Sequence, residues 1–261
     1  NATSALNVTG TLGTLVNQNG GTINSSTALY ISGSIGGFNN SGLVAGKIDN
    51  QGSANLTITG GASGTIGTLT GQSGMGTISN TLGNVVLASG NLLLNDSIVA
   101  TGHTVSNIGA NVTLTSIVNV TGDYGQTGGQ LILNAGSKLV VSGGASITGG
   151  TIATSLVSTG NYLVGNGGTT LVAAGATSSY TGVSIIANSL TGIGSVGNTV
   201  VGNNLLLMLS NHYVGGTLGS LANTGSVSAA TAVYIASTGN LGSLVNTGTL
   251  SGNIVNQSAR D

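Results

Sequence analysis

One short unit recurs along this chain: an aliphatic residue, a glycine, a small residue and an apolar one. It stands at Leu12 (LGTLVNQNG), Ile35 (IGGFNNSG), Ile66 (IGTLTGQSG), Leu218 (LGSLANTG) and Leu241 (LGSLVNTG). Leu12 to Ile35 and Leu218 to Leu241 are each a step of 23, and Ile35 to Ile66 is a step of 31. A looser echo, ITGGTIATSLVSTG, starts at Ile147. Self-similarity at a period of about 20–50 residues marks a solenoid or a propeller, and a propeller blade takes about 40 residues for its four strands. The shorter step, from Leu12 to Ile35, suits one coil of a parallel β-helix instead, two or three short strands joined by Gly/Asn turns. The step of 31 then predicts a coil with an inserted loop or an additional strand.

The rest of the sequence agrees with stacked strands. Aliphatic residues alternate with Thr, Ser and Asn in NLTITG, NVTLTSIVNVTG, QLILNAGSKLVVSGG and TAVYIAS, the pattern of half-buried strands closed by turn residues. Only 3% of residues are charged and glutamate is absent, so the side chains that usually clothe a helix's solvent face are missing. Proline is absent as well, as a ladder paired on both sides requires. The expected fold is all-β, a parallel β-helix taken as right-handed, with a β-sandwich or jelly roll as the competing architecture. Coils of this size predict about eleven turns in one domain over residues 1–261, a rod of about 50 Å at about 4.8 Å per turn.

Composition also removes several classes. A disordered chain needs low hydrophobicity and high charge, whereas 39% of these residues are hydrophobic. Collagen needs glycine at every third position. Three basic residues leave no electrostatic footprint for nucleic acid or an anionic membrane. The longest apolar runs, such as NLLLN and NNLLLMLS, are too short for a transmembrane segment. The lack of cysteine fits either redox compartment. The chain opens at Asn1 without a basic, apolar leader, which reads as a processed product or an excised fragment.

A second, longer period is present. Residues 10–51 and 216–257 are near copies: Leu12 matches Leu218 and Ile35 matches Leu241 at an offset of 206, and Tyr30 matches Tyr234 at 204. Either the chain is cut from a longer array of such modules, or one subunit carries similar coils at its two ends. In the second case the last coil of one subunit can dock on the first coil of the next, a head-to-tail contact that does not close. Leu12, Leu15, Tyr30, Leu218, Leu221, Tyr234, Leu241 and Leu244 are the packing and assembly residues of these coils. A second copy of the chain is the expected partner.

Passages such as LGSLVNTGTLSGNIVNQS and FNNSGLVAGKIDNQG resemble the Asn-Thr-Gly-rich repeats of bacterial autotransporter passenger domains and large β-helical surface adhesins. The resemblance is clearest over residues 10–80 and 216–257, with weaker echoes between. It implies secretion across the outer membrane of a Gram-negative bacterium, display or release at the cell surface, and a part in adhesion, aggregation or biofilm matrix. The family's membrane barrel and helical linker do not follow Asp261 in this sequence; they lie elsewhere, are cleaved off or were never present.

No set of residues reads as a catalytic, cofactor or metal site. His103 and His212 lie far apart in the chain with no Cys or Glu to assist, and are expected to be surface or turn residues rather than ligands. Asp49, Asp96 and Asp123 are scattered singly, where glycoside chemistry on a β-helix needs carboxylates gathered on one face. Calcium nonapeptides and phosphate loops are absent as patterns, too few Thr-x-Thr units occur for an ice-binding face, and sequons are as frequent as an Asn- and Thr-rich chain makes them. Tyr30 and Tyr234 read as coil-packing residues before a glycan-stacking role. The expected function is that of a non-enzymatic, secreted adhesin or extracellular fibre element. The alternatives are a carbohydrate-binding or carbohydrate-cleaving β-helix with host or matrix glycans as partners, and a fragment of a long monomeric adhesin.

Overall fold

The structure is a computed structural model that describes residues 4–134, 136–154, 162–163, 168–187 and 192–259. All regular structure among the described residues is strand, and the chain winds into a β-solenoid of about eleven turns. The echo from Ile147 runs into residues 155–160, which lie outside the described residues. Two compact units are present, one formed by residues 1–152 and 172–184, the other by residues 153–171 and 185–261.

In the first unit each turn contributes a strand to three walls, and every wall pairs parallel to the turn before. Alternation places every second side chain inward, so the inward residues of successive turns stack in columns. One inward column runs Leu6, Leu29, Ile48, Ile78, Ile98, Val120, Val141. A second runs Leu15, Phe38, Ile58, Leu87, Asn107, Gln126, Ile147. A third holds Ile23, Val44, Leu69 and Leu94. Parallel pairing between successive turns rules out the sandwich and jelly roll. Each buried Leu or Ile in these columns contributes about 1.5–3 kcal/mol of apolar transfer.

The step is not constant. It is 23 from Leu12 to Ile35, but 20 from Val85 to Val105 and 30 from Ile48 to Ile78. The long step carries its additional residues as loops at two corners, closed by Thr65 N–H donating to Ala62 O and Gly71 N–H donating to Gly74 O. The unit at Ile66 is nevertheless not the turn after Ile35. Phe38 lies on Ile58, the strand after Ile66 lies on Leu43, Val44 and Ala45 of another wall, and Ile66 itself is exposed. The spacing from Ile35 to Ile66 is therefore not a stacking step, and the inserted loops belong to the turn between Ile48 and Ile78.

The second unit contains an element the repeat did not announce. Val196–Val201 and Asn204–Leu209 form an antiparallel hairpin across a Gly202-Asn203 loop, and Tyr162–Leu163 also pairs antiparallel, with Tyr213 and Val214. The strands from His212 onward pair parallel with one another: His212 on Val233, Leu218 on Leu241, Leu221 on Leu244 and Val227 on Leu250. Val214, Leu221, Val233 and Ile235 are its buried core here, with Leu218, Leu241, Leu244 and Leu250 packed against them.

The columns make a direct prediction. Ile78→Ala, in mid-column, should lower unfolding stability in urea by about 2–5 kcal/mol, whereas Thr77→Ala, on the outward face, should stay within about 0.5 kcal/mol.

Candidate functional site

The two near-copies form the same structure. Leu12 stacks on Ile35 and Leu15 on Phe38 in one passage; Leu218 stacks on Leu241 and Leu221 on Leu244 in the other. The glycine after the aliphatic residue is required by the stacking. A Cβ on Gly36 would strike the carbonyl oxygen of Gly13, and one on Gly242 would strike that of Gly219.

At the corner that follows, an asparagine turns inward. Asn17 Nδ2 donates to Asn40 Oδ1 at 2.8 Å and to Leu43 O at 3.2 Å. Asn223 Nδ2 donates to Asn246 Oδ1 at 2.8 Å and to Thr249 O at 3.2 Å. The second pair of bonds repeats the first at the offset that separates Leu12 from Leu218. Both passages then cross the next corner through a register shift, at Thr22–Ile31 over Leu43–Asn50 and at Ser226–Ile235 over Thr249–Asn256. Gly46 (φ 132°) and Gly252 (φ 133°) carry it, where any side chain would meet the carbonyls of Ser25 and Ala229 in a conformation that L residues avoid.

Tyr30 and Tyr234 occupy matched places but differ in company. Each is half-buried on the outer face, between buried Leu29 and Ile31 or Val233 and Ile235. Tyr234 stacks on Tyr213 with ring centroids 6.0 Å apart and planes 9° from parallel, whereas Tyr30 lies across from Asn7 and Asp49.

His212 corrects the expectation of a surface or turn histidine: it is fully buried. It fills the inward position on Val233 that Leu6 fills on Leu29 in the first passage. Its Nε2 lies 3.4 Å from Asn223 Oδ1. Burial holds the imidazole below its ordinary pKa, and Asn223 acts weakly the other way. His103 is half-buried.

The carboxylates are taken up one by one. Asp49 accepts from Lys47 Nζ at 2.9 Å and from Gln51 Nε2 at 2.6 Å. Asp123 accepts from the Gly144 N–H at 2.8 Å; it lines a surface groove of about 490 Å³ with Thr104, Tyr124, Ser146 and Ser178. Asp96 was not singled out by its sequence context. It is 0% exposed, and neither carboxylate oxygen makes a hydrogen bond of ordinary geometry. Its inward position follows from that of Ile98, two residues on in the same strand. Burial pushes its carboxyl from 3.8 up to about 7, the nearby Gly76 amide offsetting only part. Tyr124 is also buried; its hydroxyl donates to Gln126 Oε1 at 2.9 Å, and burial raises its phenol while the Asn107 side chain acts against it.

What the arrangement offers is repetition: two corner ladders that share two side-chain bonds at matched positions and are closed by uncharged groups. Compared with known protein families, with curated proteins and with solved structures, the chain matches none.

Asp96 sets a pH dependence. Because its folded pKa of about 7 lies above its unfolded 3.8, the fold holds the proton between these values. The contribution of Asp96 to stability is therefore fully present below about pH 4, declines as pH rises to about 7, and levels off above. His212 has the opposite sign, its contribution declining as pH falls below its ordinary 6.5. Asp96→Asn should flatten the decline and raise stability at pH 8 by about 1–3 kcal/mol, measured by urea unfolding from pH 4 to pH 8 beside the parent chain.

Proposed function

We propose that this protein is a non-enzymatic structural element of the bacterial surface, a secreted β-helical adhesin or extracellular fibre subunit whose copies assemble head to tail through their similar end coils. The observation that carries the reading is the pair of corner bonds repeated at matched positions: Asn17 with Asn40 and Leu43, Asn223 with Asn246 and Thr249. A stack whose two margins have the same cross-section offers each margin as a seat for the other, and repetition of that contact makes a filament.

Charge supports the same reading. With 3% charged residues and a formal net charge of −1, neighbouring copies meet almost no mutual repulsion. The outward faces present mainly Asn, Ser, Thr and small residues, which associate through hydrogen bonds without ionic partners. Mechanical strength in such a body comes from many small contacts in series, backbone ladder above ladder and aliphatic column above column.

Negative-stain electron microscopy of the purified chain tests this. Long unbranched fibres one subunit wide are the expected result. Separate short particles at every concentration and salt would contradict head-to-tail assembly and favour a piece of a longer monomeric adhesin.

A further inference from the structure

Resting on that reading, we propose that the joint is one more rung of the corner ladder: Leu244-Val245-Asn246 of one copy pairs parallel and in register with Leu15-Val16-Asn17 of the next, and Asn246 Nδ2 donates to Asn17 Oδ1.

Four observations carry the register. First, the two tripeptides are the same, Leu-Val-Asn, and Leu244-Val245-Asn246 already sits on Leu221-Ala222-Asn223 in this chain. Second, the polar groups are complementary. Asn246 accepts from Asn223, while among the described residues its own amide donates to no partner, and it is exposed. Asn17 donates twice, while among the described residues its Oδ1 accepts no hydrogen bond. One margin thus offers the donor and the other the acceptor, in the direction that both internal ladders run.

Third, Gly13 is a glycine without an internal reason. A Cβ there would meet nothing within 4 Å, unlike one on Gly36 or Gly242. In the proposed joint the Gly242 carbonyl of the preceding copy approaches Gly13 as the Gly13 carbonyl approaches Gly36. Fourth, the leucines of both margins are half-covered, whereas three of the four positions one rung inward, Ile35, Phe38 and Leu221, are buried and Leu218 is half-covered. Val16 and Val245, in register at the joint, are 55% and 49% exposed. The neighbouring wall fits as well, with Thr249, Leu250 and Ser251 meeting Thr22, Ile23 and Asn24, polar, apolar and polar on both sides.

One place is claimed twice. Asn253–Asn256 lies on Val233–Ile235 of its own copy, on the wall where Ser4–Val8 of the next copy pairs with its own Thr27–Ile31. Asn253–Asn256 is the continuation of a strand, Thr249–Asn256, that is paired through both walls. Ser4–Val8 is a separate half-buried edge strand. Ser4–Val8 therefore yields, and Asn253–Asn256 takes its seat, with Ile254 replacing Leu6 on Leu29.

The chain lacks cysteine, so engineered pairs report only themselves. A chain carrying Val16→Cys and Val245→Cys, oxidised during assembly, should give a ladder of disulfide-linked multimers, because Cα atoms of paired rungs stand about 4.8 Å apart, within disulfide reach. Val16→Cys with Ala222→Cys, one rung deeper, should give none. Gly13→Ala should fold with unchanged stability and lose assembly. A chain without residues 1–8 should elongate roughly tenfold faster or more. Fibres without the 16–245 crosslink, or fibres from Gly13→Ala as abundant as the parent's, would overturn this joint and leave head-to-tail assembly standing. Slower elongation without residues 1–8 would overturn the strand replacement. Absence of both fibres and multimers in the parent chain would remove head-to-tail assembly itself, and the joint with it.

Discussion

The fold depends on how it treats amides at its corners. A chain that changes wall three times per turn leaves backbone N–H and C=O groups without ladder partners at each bend, and such groups need another partner. Buried asparagines meet them. Asn40 accepts from the Gly42 N–H and donates to Thr68 O; Asn50 accepts from the Gly52 N–H and donates to Ala54 O; Asn107 accepts from the Ala110 N–H and donates to Ala110 O. Where corners align, the amides also bond to each other, as Asn50 does to Asn80 at 3.2 Å. A carboxylate or ammonium could not do both jobs, since each offers only acceptors or only donors and loses its hydration on burial.

Asp96 shows the cost of departing from the rule. It takes an inward position with no side-chain amide to meet it and only the nearby Gly76 N–H to offset burial, and its carboxyl answers by holding a proton to about neutral pH. Gln126 shows the opposite solution, a buried amide that accepts from Tyr124 and reaches Thr151 O at 3.2 Å, so that a phenol and a corner are satisfied together.

Much of this was legible before any coordinates. The step from Leu12 to Ile35 is a like-on-like spacing, and stacking of like residues is what a solenoid produces. The alternation in NLTITG fixed which residues face inward, Leu56 and Ile58. Three things were missed. The hairpin Val196–Leu209 carries its signal in Gly202-Asn203 between apolar runs, but a search for repeats passes over a segment that has none. His212 was judged by residue type, whereas its match to Leu6, at the offset that relates Leu12 to Leu218, already marks an inward position. The step also differs between walls of one turn, 23 from Leu12 to Ile35 but 19 from Leu29 to Ile48, because register shifts absorb residues at corners, as between Asn24 and Thr27, and no local residue pattern announces such a shift.

The corner ladder is the claim on which the architecture and the joint both rest, and side-chain amide hydrogen exchange measured by NMR on the isotope-labelled chain addresses it directly. The account predicts slow exchange at the Nδ2 protons of Asn17, Asn40 and Asn223 and fast exchange at those of Asn246 in the separate molecule, with Asn246 becoming slow once the copies assemble. Exchange at Asn40 and Asn223 as fast as in a free asparagine, or Asn246 unchanged between the separate and assembled states, would contradict it.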